Sequence, residues 1–174
     1  QHGEWSHLAS ALEKYAEARP VKARECLLQA ARIRARRILD GEGAIEIYER
    51  LIRGEHPDLV LRGELAELYL EAESWGLAAE TYKRLIRFSS DTSLRRATAF
   101  RLVAIYRDKL EDLDAAKDVL VGILDDDPHA PSALFGLALI ERQRDNPQGA
   151  LVAISRAISA SGSTGERAEY RKYQ

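Results

Sequence analysis

Asp125, Asp126 and Asp127, with His129 close behind, are the densest set of potential metal ligands in the chain. Consecutive side chains at a helix end diverge, and three carboxylates there oppose the helix dipole, so a hydrated turn is the expected role. His2, His7, His56 and His129 are too scattered to form a ligand cluster. Cys26 is the single cysteine, which excludes an internal disulfide and leaves the redox compartment open. It falls inside a helical stretch and reads as a small core residue rather than a nucleophile. Arg32, Arg34, Arg36 and Arg37 form the densest basic run. Spaced along one helix they point in several directions, which suits a solvated surface rather than a nucleic-acid site with its basic face and interleaved aromatics. Neither a GxSxG elbow, a P-loop nor a Gly-rich dinucleotide turn occurs. The expectation is a non-enzymatic protein with no metal and no cofactor.

The remaining candidates are surfaces, and surfaces depend on the elements that carry them. With 45% hydrophobic and 31% charged residues, the chain has enough apolar side chains for a continuous core and enough charge to solvate its exterior. A net charge of −2 argues against a general nucleic-acid or membrane-surface binder. No apolar run approaches the roughly 20 residues of a membrane span, and no signal-peptide pattern is present. No membrane insertion is expected; a soluble protein of cytoplasm or periplasm is. The sequence contains no methionine, which suits a piece of a longer chain or a mature form that has lost its leader.

Hydrophobic residues recur three or four apart almost throughout, and no stretch alternates as a strand would. Trp5, Leu8, Leu12 and Tyr15 mark a helix over 4–18, and Pro20 is placed to open the next, which runs to Leu39. Asp40-Gly41-Glu42-Gly43 reads as a turn. A third helix follows and stops at Gly54, ahead of His56-Pro57. Further pairs are predicted at 58–72 and 75–88, 94–109 and 112–125, and from Pro131 to about Arg144 with a partner opened by Asn146-Pro147. Ser163 to Glu166 reads as a capping box for a last helix over 163–174, which holds Tyr170 and Tyr173. This predicts an all-α chain of about ten helices.

Self-similarity decides what kind of helical protein it is. The small residue near the start of each second helix recurs at Ala44, Ala78, Ala116 and Ala150, in steps of 34, 38 and 34. Four residues on stand Tyr48, Tyr82, Leu120 and Ile154. First helices repeat as Leu65-Ala66-Tyr69, Leu102-Val103-Tyr106 and Leu137-Ala138, and Trp75 supplies bulk at the hinge of the clearest pair. A 34-residue helix-turn-helix with this pattern resembles the tetratricopeptide repeat. The resemblance implies one right-handed α-α superhelix over 1–174. It has four repeats at 21–56, 57–92, 93–129 and 130–162, with 4–18 the trailing helix of a truncated one. Two departures stand out: Arg62 replaces a bulky hydrophobe, and Glu141 replaces the aromatic that Tyr69 and Tyr106 provide.

In a solenoid of this kind the first helices line the concave, ligand-facing surface. Carrying the register across gives Phe100, Ala104 and Arg107, then Phe135, Leu139 and Arg142, as a groove with apolar anchors and two guanidinium groups. An extended or helical peptide with a carboxylate would fit. The alternative is that both phenylalanines pack against adjacent repeats and the arginines are solvated. The carboxylate clamp of the chaperone-binding members is absent, because Asn146 is the single asparagine and caps a second helix. The resemblance thus implies an interaction scaffold, with bacterial envelope, secretion or signalling assemblies as settings. Two further readings stay open: the regulatory arm of a larger enzyme, and self-association into a homo-oligomer through exposed end helices.

Overall fold

The computed structural model describes residues 2–53 and 58–174, and these are helical with no strand among them. The helices are α1 (His2–Ala18), α2 (Pro20–Ile33), α3 (Gly41–Ile52), α4 (Leu59–Glu71) and α5 (Trp75–Phe88). They continue as α6 (Thr92–Asp108), α7 (Leu113–Asp126), α8 (Pro131–Gln143), α9 (Pro147–Ala160) and α10 (Thr164–Arg171). The predicted stop at Gly54, the His56-Pro57 pair and the repeat boundary beside it lie outside the described residues. The chain divides into two compact units, Gln1–Ser89 and Ser90–Gln174.

In the first unit each helix packs on the next, from α1 through α5. Ala30, Ala31, Ala44, Ala66 and Ala78 are fully buried; with only a methyl group each, they let neighbouring helix backbones approach closely. Tyr48, Leu61 and Leu65 fill the space beside them, each contributing about 1.5–3 kcal/mol by leaving water. The second unit repeats the plan from α6 through α10. Its core holds Leu102, Ala116, Leu120, Leu134 and Ala157, all at most 1% exposed.

The turns between paired helices share one construction. Leu39, Glu73, Glu111 and Asp145 are the positive-φ residues, at 59°, 54°, 53° and 55°. Their steps reproduce the alanine steps of 34, 38 and 34. Each is followed at once by the N-cap residue of the next helix: Asp40, Ser74, Asp112 and Asn146. Three of those caps accept a hydrogen bond from the backbone, Asp40 from Gly43, Asp112 from Ala115 and Asn146 from Gly149. The left-handed residue reverses the chain and lets the preceding carbonyls be satisfied, as in the bond from Ser74 N to Tyr69 O at 2.8 Å.

Two sequence expectations are corrected here. The segment Asp40–Gly43 is not a glycine turn, since neither Gly41 nor Gly43 has positive φ and Gly41 already lies in α3. The reversal falls on Leu39, after one π-helical turn over Arg34–Ile38. Gly43 serves the cap instead: a Cβ there would sit 2.4 Å from an Asp40 carboxylate oxygen. At the C-terminus the capping box does not form. Ser163 makes no side-chain cap, and the Glu166 carboxylate instead accepts from the buried Ser161 hydroxyl at 2.7 Å.

Candidate functional site

The six predicted groove residues all lie in the unit Ser90–Gln174. On α6, Phe100, Ala104 and Arg107 fall at i, i+4 and i+7; on α8, Phe135, Leu139 and Arg142 do the same, so each trio forms one stripe. Asp91 starts α6 by accepting from the backbone amides of Ser93 and Leu94, at 2.8 and 3.1 Å. Pro131 in the first turn fixes the start of α8. Gly136 lets α8 lie close over α7, because a Cβ there would meet Leu120 at 3.2 Å.

Five of the six residues surround one open cavity of about 390 Å³: Phe100, Ala104, Arg107, Phe135 and Leu139. All five are half-buried. Arg142 is not among them. It lines a neighbouring cavity of about 280 Å³, which shares Leu139 and is closed on one side by Tyr173.

The C-terminal segment, α10 and the turn after it, borders both. Tyr170 stacks on Phe135 with ring centroids 4.7 Å apart, and Tyr173 meets the same ring edge-on at 5.1 Å. The Arg142 guanidinium lies 5.3 Å from the Tyr173 ring centroid, a cation–π contact. Burial raises the Tyr170 hydroxyl above its usual range, and the charge of Glu166 adds to that. The register could not foresee this cover. Its only trace in the sequence is the pair Tyr170 and Tyr173, three residues apart at the end of the chain, the first on α10 and the second in the turn that follows it.

The two arginines therefore act separately. Arg107 is held by the adjacent Asp108, to which Nε and Nη2 donate at 2.6 and 2.7 Å. These bonds keep the guanidinium protonated more firmly and the Asp108 carboxyl below its usual range. Phe100, Ala104 and Leu139 remain the accessible apolar surface of the larger cavity, with the paired Arg107 at its edge.

The other chemical candidates are absorbed by the fold. Asp126 and Asp127 pair with Arg95 and Arg96 at 3.2 and 3.1 Å, tying α7 to α6 rather than only meeting water. No group of metal-ligating side chains occurs among the described residues. Three arginines of the basic run have partners within the chain, although Arg36 and Arg37 are exposed. Arg32 forks onto Glu64 at 2.7 and 3.2 Å, Arg34 pairs with Glu13 and Asp40, and Arg37 lies over Trp5. Tyr48 donates a short bond to the same Glu64. Cys26 is buried. Ala44, Ala66, Ala78, Ala116 and Ala138 are buried with Tyr48, Tyr69 and Tyr82, whereas Trp75 and Ala150 are half-buried. No described helix is long and apolar enough to cross a membrane.

No family model matches the sequence, and no curated protein matches it. Solved structures do match the fold. One, titled MamA AMB-1, is 19% identical with a TM-score of 0.63, over 96% of this chain and 88% of that one. YrrB, titled a TPR protein with an unusual peptide-binding site, is 16% identical with a TM-score of 0.60, over 98% and 84%. MamA from Desulfovibrio magneticus RS-1 is 15% identical with a TM-score of 0.54, over 91% and 86%. At such identities it is the course of the backbone that is shared, and the chain accordingly has the fold of a tetratricopeptide-repeat solenoid.

Proposed function

We propose that the chain is a non-enzymatic interaction module whose unit Ser90–Gln174 takes an apolar anchor of a partner peptide in the cavity between α6 and α8. The observation that carries this reading is the exposed remainder of the groove. Phe100, Ala104 and Leu139 line about 390 Å³ of open space that the chain's own side chains leave unfilled. Such apolar surface gains by covering, at about 25 cal/mol per Å² removed from water. Arg107, already neutralised by Asp108, would orient a ligand rather than supply a strong charge, so apolar burial dominates.

The same reading keeps the repeats at 21–56, 57–92, 93–129 and 130–162, with the helix over 4–18 ahead of them. It is supported by the recurrence of one turn, a left-handed residue followed by a cap, at Leu39, Glu73, Glu111 and Asp145. A bacterial envelope, secretion or signalling assembly belongs to the proposal as its setting.

The test is selection of displayed peptides on the whole chain, followed by affinity measurement against two variants. Ala104→Trp fills the cavity and Phe100→Ala removes its wall. Selected peptides should be apolar and lose about tenfold or more in affinity to both, the equivalent of burying one to two side chains less. Peptides that bind both variants undiminished, while the helical spectrum is unchanged, would refute the assignment.

A further inference from the structure

Arg62 stands in α4 where the corresponding turns of α6 and α8 bury Ala99 and Leu134, taking Leu65, Leu102 and Leu137 as equivalent. It is as buried as a core residue, at 9% exposed. Its Nε is shielded from solvent and has no hydrogen-bond partner among the described residues. Burying an unpaired guanidinium donor is costly, and a buried polar group of this kind ordinarily has its bond made.

Arg62 lines a cavity of about 310 Å³ between α3, α4 and α5, wholly inside the unit Gln1–Ser89. Arg53 and Arg84, both exposed, stand on its rim. Two carboxylates share the walls, and both already have partners. Glu49 accepts from the Tyr69 hydroxyl at 2.6 Å, and Glu80 is held by Lys83 at 2.9 Å with Arg84 at 3.6 Å. Leu77 and Ile52 supply apolar wall, which strengthens any bond made inside. A cavity of this size with one buried, forked donor and two cations at its mouth is complementary to an oxyanion.

We propose that this cavity is an oxyanion-binding site in which Arg62 receives the carboxylate of a glutamate or aspartate side chain presented by a partner protein. The two terminal nitrogens at the end of the planar guanidinium match the two oxygens of a carboxylate. Arg53 draws the acidic segment to the opening, helped by Arg84, whose charge is shared with Glu80. The site is independent of the apolar cavity between α6 and α8, so either can fail without the other.

The experiment is side-chain NMR of the arginine Nε–H groups in the whole chain. Two probes are titrated: an acetylated, amidated peptide of alternating glutamate and alanine, and inorganic phosphate. The Arg62 signal should move downfield with the peptide and saturate, and phosphate should move it less. Arg62→Met, which puts an apolar chain where Ala99 and Leu134 lie, should weaken the peptide by about tenfold or more. Should that variant not fold, Arg53→Gln with Arg84→Gln removes the rim charges at exposed positions and should also weaken it. A response to phosphate alone would overturn the carboxylate assignment. An Arg62 signal unmoved by both probes, or peptide binding unchanged in the variants, would overturn the site.

Discussion

Removing the ammonium of Lys117 should cost more than removing the charge of Glu141, although the two form a single ion pair. Lys117 Nζ lies 2.6 Å from a Glu141 oxygen, and the exposures are unequal: 37% for the lysine side chain and 7% for the glutamate. Asn146 Nδ2 donates to the same carboxylate at 2.7 Å, so α7, α8 and the cap of α9 meet at one buried anion. In Glu141→Gln the lysine can turn into water and the amide oxygen still accepts from Asn146. The loss is then the charge assistance, about 1–1.5 kcal/mol. In Lys117→Met a carboxylate stays in the interior with one neutral donor, which costs about 2–3 kcal/mol, toward the lower end for a broken buried pair. The double variant should resemble Glu141→Gln alone, giving a coupling of about 2–3 kcal/mol, the whole cost of Lys117→Met. Urea and thermal unfolding measure the totals, with each kcal/mol moving Tm by about 4–8 °C for a unit of this size. Hydrogen exchange in α8 and α9 localises the effect.

The pH dependence follows with a definite sign. Lys117, and after it Asn146, hold the Glu141 carboxyl below its ordinary value, while burial works against them. A folded pKa below the unfolded value near ~4.3 means the contribution is complete above that pH and is lost as pH falls through the folded value. Without Lys117 burial dominates, and the loss should begin at higher pH. A Lys117→Met variant no less stable than Glu141→Gln, or a double variant additive to within about 0.5 kcal/mol, would refute this account.

Two further outcomes test the turns. Leu39 is 81% exposed at φ 59°, so Leu39→Gly relieves a left-handed strain of about 1–2 kcal/mol and forfeits little packing. Offset by glycine's freedom in the unfolded chain, it should raise stability by up to about 1 kcal/mol in urea unfolding, and a fall would show the π-helical turn to depend on the leucine. Gly122 and Gly149 both lie in helices, yet their alanine variants should differ in sign under thermal unfolding. A Cβ at 122 meets nothing within 4 Å, whereas at 149 it would sit 2.4 Å from the Asn146 amide nitrogen. Gly122→Ala should gain about 0.5–1 kcal/mol, and Gly149→Ala should lose about 1 kcal/mol with the cap.

The helices and their repeat could be read from the sequence because their causes are local. Apolar spacing, the prolines at 20, 131 and 147, and caps such as Asp91 and Asn146 act within a few residues. The step of 34, 38 and 34 followed from alanines that pack at 0% exposure at three of the four positions. Even locally there was a limit. Two glycines outweighed Leu39 as turn formers in the sequence, but the helix took in both and used Gly43 to make room for the Asp40 cap.

The site was legible only in part, since stripes on α6 and α8 follow from periodicity and their covering does not. Tyr170 and Tyr173 reach Phe135 and Arg142 across some thirty residues of chain, and no spacing rule specifies that approach. Charges behave likewise. Arg107 found its neighbour Asp108, Asp126 and Asp127 found Arg95 and Arg96, and Arg62 Nε found no partner among the described residues. The sequence by itself determined the helices, their caps and the repeat, because those rest on contacts between near neighbours. Only the tertiary structure decided which charge meets which, what α10 covers, and where open space is left, because these depend on distances between segments far apart in the chain.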